Sequence, residues 1–183
     1  MSGKEADDAY APLGPLAAVG ATVAFHGDVL EQPVGSPIWD RVGIVRYPTR
    51  AAFFAMQQRD DFKTQHVHKE AGMEFTIVMS CLPSAFDARA NDGSTRLVLS
   101  VERGGTEPAT LPQGAELVAD FTVEGVIVGD QRAFDRARFV QVADDAALAA
   151  FVAQSQRLDD AHVLVVDRAI DRLLESITSS TEL

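Results

Sequence analysis

The chain has 183 residues, an apolar fraction of 46% and a formal net charge of −11. That suits one compact domain or two half-size ones, and it argues against nucleic acid, since the sixteen Lys and Arg residues are scattered and an acidic surface repels phosphates. No apolar run approaches the roughly 18 residues of a membrane span, and Cys81, the single cysteine, excludes an intrachain disulfide.

Met1 to Asp8 is acidic and polar, without the apolar core of a signal segment, so it reads as disordered and the expected location is the cytoplasm. Tyr10, Leu13, Leu16 and Val19 recur every third position and predict a helix ending at Gly20. Residues 21–30 alternate, with Val23, Phe25 and Val29 on one face and Ala24, His26, Asp28 and Leu30 on the other, which predicts a strand. The two prolines and the glycine of 31–37 predict a loop. Residues 39–47 form the next strand, antiparallel to the first because the connection is short, and Pro48 stops it. Thr49 is placed as a helix N-cap, with Ala52, Phe53 and Met56 as the inward stripe.

A second short helix starts at Asp60 or Asp61, carries Phe62 and His66 at i, i+4, and ends near Gly72. Residues 73–81 alternate as a strand. Residues 82–95, with Asn91-Asp92-Gly93-Ser94, read as a link between halves. A strand at 96–102, a Gly/Pro-rich loop through Gly114 and a long strand at 116–128, bulged at Gly125, follow. Then come a strand at 134–142, a helix at 144–156 and a strand at 161–166. Ile170, Leu173, Leu174 and Ile177 define a C-terminal amphipathic helix.

One stretch is written twice. Residues 39–56 recur without a gap as 134–151: Asp40/Asp135, Arg41/Arg136, Val45/Val140, Ala51/Ala146, Ala52/Ala147 and Ala55/Ala150 are identical. Trp39/Phe134, Ile44/Phe139, Phe53/Leu148 and Met56/Phe151 stay apolar, and Asp144 takes the cap position of Thr49. Agreement at the strand, the cap and the stripe predicts a duplicated α+β unit, with repeats at 1–81 and 96–183 joined by 82–95.

Trp39-Asp40, the apolar strand, Tyr47-Pro48-Thr49, Ala52-Phe53, Met56, Asp61-Phe62, His68-Lys69 and Ala71-Gly72-Met73-Glu74 resemble a bacterial family of unknown function. That family belongs to the dimeric α+β barrel superfamily, with the antibiotic-biosynthesis monooxygenases and muconolactone isomerases. The resemblance covers about residues 9–81; the second half fits as a degenerate repeat. It implies ferredoxin-like units whose antiparallel sheets pack face to face around a cavity, usually in a homodimer. It also implies a cofactor-independent monooxygenase, isomerase or cyclase acting on a small apolar metabolite. Two features depart from the pattern: no strand precedes the first helix, and position 69 is Lys where Arg is common.

Polar groups that the second copy lacks put any chemistry in the first: His26, Arg46 (Gln141 in the copy), Tyr47 (Val142), His66 and His68. His26 as acid/base and Arg46 as charge stabiliser could serve an anionic or enolate-forming ligand in an apolar cavity, and His26, Arg46 and His68 are the candidate catalytic residues. The plainer reading makes Arg46 a strand-end ion-pair partner and His26 a satisfied histidine. Asp40-Arg41 and Asp135-Arg136 occur in both copies and read as structural anchors. His66 and His68 diverge by about 200° on a helix, so no metal site is expected. Cys81 has no sequence-local base, and the glycines match no phosphate loop, so no cofactor is expected either. A non-catalytic ligand-binding protein and an assembly module are the rival readings; a filled core favours the module.

Overall fold

The computed structural model describes residues 13–72, 74–87, 93, 95–104, 110–158 and 160–181, with the side chains of 13, 68–72 and 179–181 left aside. The expected disorder at 1–8 and the Asn91-Asp92 turn lie outside these residues. Within them the chain is α+β, an eight-stranded antiparallel sheet curled into a half-barrel with five helices.

Helix α1, Leu13–Ala18, holds Pro15 in its first turn, where the missing amide has no intrahelical acceptor to lose. Gly20, at φ +72°, closes it. Strand β1, Thr22–Val34, takes in 31–34 of the segment expected to be a loop, leaving 35–37 outside the sheet. Tertiary pairing overrides Pro33 there: Glu31 opposes Val165 and Val34 opposes Val163, with register shifts on either side of Glu31. Strand β2, Arg41–Arg46, pairs antiparallel to β1 as expected.

Helix α2, Arg50–Gln58, begins on Thr49, whose hydroxyl accepts from the Ala52 amide at 3.1 Å. Helix α3, Asp60–Gly72, follows at once, and His66 stacks on Phe62 at 5.2 Å. Strand β3, Val78–Phe86, lies five residues later than its apolar alternation suggested, so 82–86 belong to the sheet and not to a link. Its partner decides this: β5 offers Thr122, Phe121, Asp120 and Ala119 opposite Leu82, Pro83, Ala85 and Phe86.

Strands β4, Arg96–Glu102, β5, Ala115–Val128, and β6, Arg136–Val142, match expectation, and the β3–β5 register shifts beside Gly125. Helix α4, Asp145–Ser155, is capped by Asp144, which accepts from the Ala147 amide at 2.8 Å. Strand β7, His162–Val166, is followed by the two-residue β8, Ile170–Asp171, on β1. Ile170 therefore belongs to the sheet, and helix α5, Leu173–Thr181, starts after it.

The strand order is β2-β1-β7-β4-β6-β5-β3, with β8 also on β1. The β1–β7 and β3–β5 pairings join the strands of both halves into one sheet, where two facing sheets were expected. Phe25 on β1 and Phe139 on β6 show the curl. Three strand spacings separate them, about 14 Å in a flat sheet. Their ring centroids are 5.0 Å apart.

The two faces are filled differently. On the outer face Val98, Val140, Val142, Val163 and Val165 pack under Ala147, Leu148 and Phe151 of α4. On the inner face Phe25, Leu97, Leu99, Phe139, Leu164 and Val166 pack against Leu173 and Ile177 of α5. A small satellite core joins Leu16, Met56 and Phe62 of α1, α2 and α3.

Candidate functional site

Polar groups cluster at one end of the inner face, around His162. This residue opens β7 opposite Val101 of β4, so its ring points with Val101 toward the inner core. It is 5% exposed. Trp39 and Phe134 set their edges against it, with centroids 6.2 and 5.6 Å away. The guanidinium of Arg132 lies 5.6 Å above the Trp39 ring and 3.4 Å from His162 Nε2. Burial first, and then the Arg132 charge, lowers the His162 pKa from its ordinary value. A neutral imidazole follows, with Nε2 placed to accept from Arg132.

Arg132 is held from two sides. Its Nε donates to both Asp130 oxygens at 2.8 and 3.0 Å, and its Nη1 donates to the Ser36 carbonyl at 2.7 Å. That pairing holds the Asp130 carboxyl down at about 2. Gly35 completes the arrangement. Its φ is +95°, and a Cβ there would stand 2.3 Å from His162 Nδ1. These contacts tie the β1–β2 loop to the β5–β6 loop across the end of β7. Beside them is an open hollow of about 350 Å³, lined by Gly125 to Ile127, Gly129 and Gln131 to Phe134.

His26 and Arg46 are not brought together. Phe25 opposes Ile44 and His26 opposes Gly43. Arg46 lies two residues beyond Ile44, on the face of Phe25, so His26 and Arg46 stand on opposite faces of the ribbon. His26 lies over Gly43, whose missing Cβ would be 3.9 Å from the imidazole Cδ2. His68 lies in α3, and its side chain is outside the described residues. His66 lies in the same helix and stacks on Phe62.

Arg41 and Arg136, which match in sequence, each pair with a carboxylate. Arg41 Nε pairs with Asp28 at 2.9 Å, and Arg136 Nε with Asp120 at 2.7 Å. Deeper in the outer face Arg138 meets Glu102 at 2.8 Å, both side chains 5% exposed. Backbone contacts repeat too: Val29 N donates to the Asp40 carbonyl and Val123 N to that of Asp135, at 2.9 and 3.0 Å.

Sequence reasoning missed His162 and Arg132. The one available signal was a histidine opening an otherwise apolar strand, 161–166, where a polar ring must find buried partners. No family model, curated protein or solved structure matches the chain.

Proposed function

We propose that the chain is a duplicated ferredoxin-like protein, a single-chain relative of the dimeric α+β barrels, acting as a non-catalytic assembly module. The strand order supports the duplication. Strands β7-β4-β6-β5 run 4-1-3-2 in the unit's own order, with a loop where its first helix would be. In the first unit β1, β2 and β3 take the places of β5, β6 and β7. The matched caps, Thr49 and Asp144, each accepting from the amide three residues on, support it further.

The occupied inner face carries the functional reading. Enzymes of such barrels need a hollow where acid, base and substrate meet. Here Leu173, at 1% exposure, and Ile177, at 7%, fill that space from α5. Each contributes about 2 kcal/mol by leaving water, so emptying the barrel is costly. His26 and Arg46 do not converge, and Arg132 is committed to Asp130 and the Ser36 carbonyl. Native mass spectrometry tests this: the purified chain should carry no small molecule. A tightly held metabolite that Leu173→Trp expels would sink the proposal in favour of a binding protein or enzyme.

A further inference from the structure

The cluster around His162 has no room for a second proton on the ring. Trp39 and Phe134 set their edges against it, and Gly35 stands where one added carbon would be 2.3 Å from Nδ1. Nδ1 is buried and has no hydrogen-bond partner among the described residues. Nε2 faces the Arg132 guanidinium at 3.4 Å, and a guanidinium only donates. A neutral imidazole fits, accepting at Nε2. An imidazolium donates at both nitrogens, so one N–H would point at a cation and the other at no acceptor.

Among the described residues the charges acting on the ring are those of Arg132 and Asp130, on the β5–β6 loop, and Asp160, in the turn before β7. Arg103, just past β4, is paired with Asp160 at 3.4 Å. Gly35, Ser36 and Trp39 of the β1–β2 loop bring no charge. The two carboxylates favour a protonated ring, but desolvation and Arg132 outweigh them. When a proton does bind, the two sides yield unequally. His162 opens β7, which is bonded between β1 and β4. Arg132 stands outside the sheet, and its hold on the β1–β2 loop rests on the Ser36 carbonyl and the face of Trp39. Gln131 beside it has φ +74°, a region that a side-chain-bearing residue enters at a cost, so freeing this loop relieves strain.

We propose that the β5–β6 loop is an acid-released latch: a proton taken up by His162 drives Arg132 off the imidazole and off Trp39, and the loop parts from the β1–β2 loop while the sheet stays folded. In the open form Nε2–H meets water, which accepts from it, so acid favours opening. The closed form resists the proton, so the opening falls below the ordinary histidine range. It is a local event, separate from melting of the fold. It bares the face of Trp39 beside Ile38, which is already exposed, and beside the 350 Å³ hollow that Ile127 and Arg132 line.

Trp39 is the single tryptophan of the chain, so its fluorescence reads the latch. Acrylamide quenching of the full chain should rise about twofold or more between pH 7.5 and pH 5, reversibly, while far-ultraviolet circular dichroism stays level. His162→Phe keeps the ring contacts and takes no proton, so its quenching should show no step with pH. Arg132→Gln removes the cation, and a carboxamide can face either form of the ring, so it too should show no step. If His162→Phe does not fold, Arg132→Gln decides alone. A step that survives in either variant would overturn the latch. So would quenching in the unaltered chain that stays level until circular dichroism is lost, because the proton would then be refused until the whole sheet melts.

Discussion

Trp39 and Phe134 are 95 residues apart in the chain and set their ring edges against the same imidazole, that of His162. Two residues that align when 39–56 is laid on 134–151 thereby meet at one buried polar group. Arg132, stacked over Trp39 and donating to Ser36, closes the contact from outside.

This clasp makes stability depend on pH. Burial lowers the His162 pKa below 6.5, so the folded chain takes up the proton less readily than the unfolded one. Its contribution is fully present above the ordinary histidine pKa and is lost as pH falls through the lowered folded value. Urea midpoints measured from pH 8 down to pH 5 should decline, and His162→Phe, which keeps the ring contacts, should flatten that decline. An unchanged slope in the variant would show that other groups set it.

The helix caps are expected to be worth similar amounts in the two repeats. Thr49→Ala and Asp144→Ala should each cost about 1 kcal/mol in denaturant unfolding. Asp144→Thr should recover most of the loss, because Thr49 makes the same bond to the amide three residues on.

The Arg138–Glu102 pair is worth most when only one partner is removed. Glu102→Ala leaves a guanidinium buried without its carboxylate and should cost about 3–5 kcal/mol. Replacing both by Leu should cost much less than the single change. A double variant as unstable as Glu102→Ala would locate the energy in packing at position 102.

Cys81 stands on the exposed edge strand β3, yet its thiol is pushed to about 11, first by desolvation and then by the Glu124 carboxylate. At pH 8 roughly 0.1% is thiolate. Alkylation should be slow there and accelerate between pH 9 and 11. Glu124→Gln should speed it at pH 8 by removing the nearby negative charge. It would also break the Arg50 and Ser80 contacts, so the Arg50→Gln variant separates the two effects.

Shortening the α5 side chains probes the filled interior. Leu173→Ala should cost about 2–5 kcal/mol, since the inner core of a curled sheet cannot collapse onto the space. A loss below 1 kcal/mol would mean that α5 rests loosely on the sheet.

Local signals read well from the sequence. The caps at Thr49 and Asp144, the α4 stripe and the β4, β6 and β7 strands are set by neighbours within a few residues, so their patterns are visible in one window. Pairing over long distances is not. Pro33 sits in β1 because β7, some 130 residues later, holds that segment extended. Likewise β3 slides toward Phe86 because β5 is long enough to accept it. The relative facing of His26 and Arg46 was hidden for a similar reason. Alternation gave the face of each residue within its strand, but only the register between β1 and β2 shows that His26 and Arg46 look away from each other.

Helix α5 follows all eight strands in chain order and plugs the trough they form. A nascent chain therefore carries an open apolar gutter until α5 has folded onto the strands. Stalling or premature termination just before that point would release a greasy, unsealed shell, the species most in need of a chaperone.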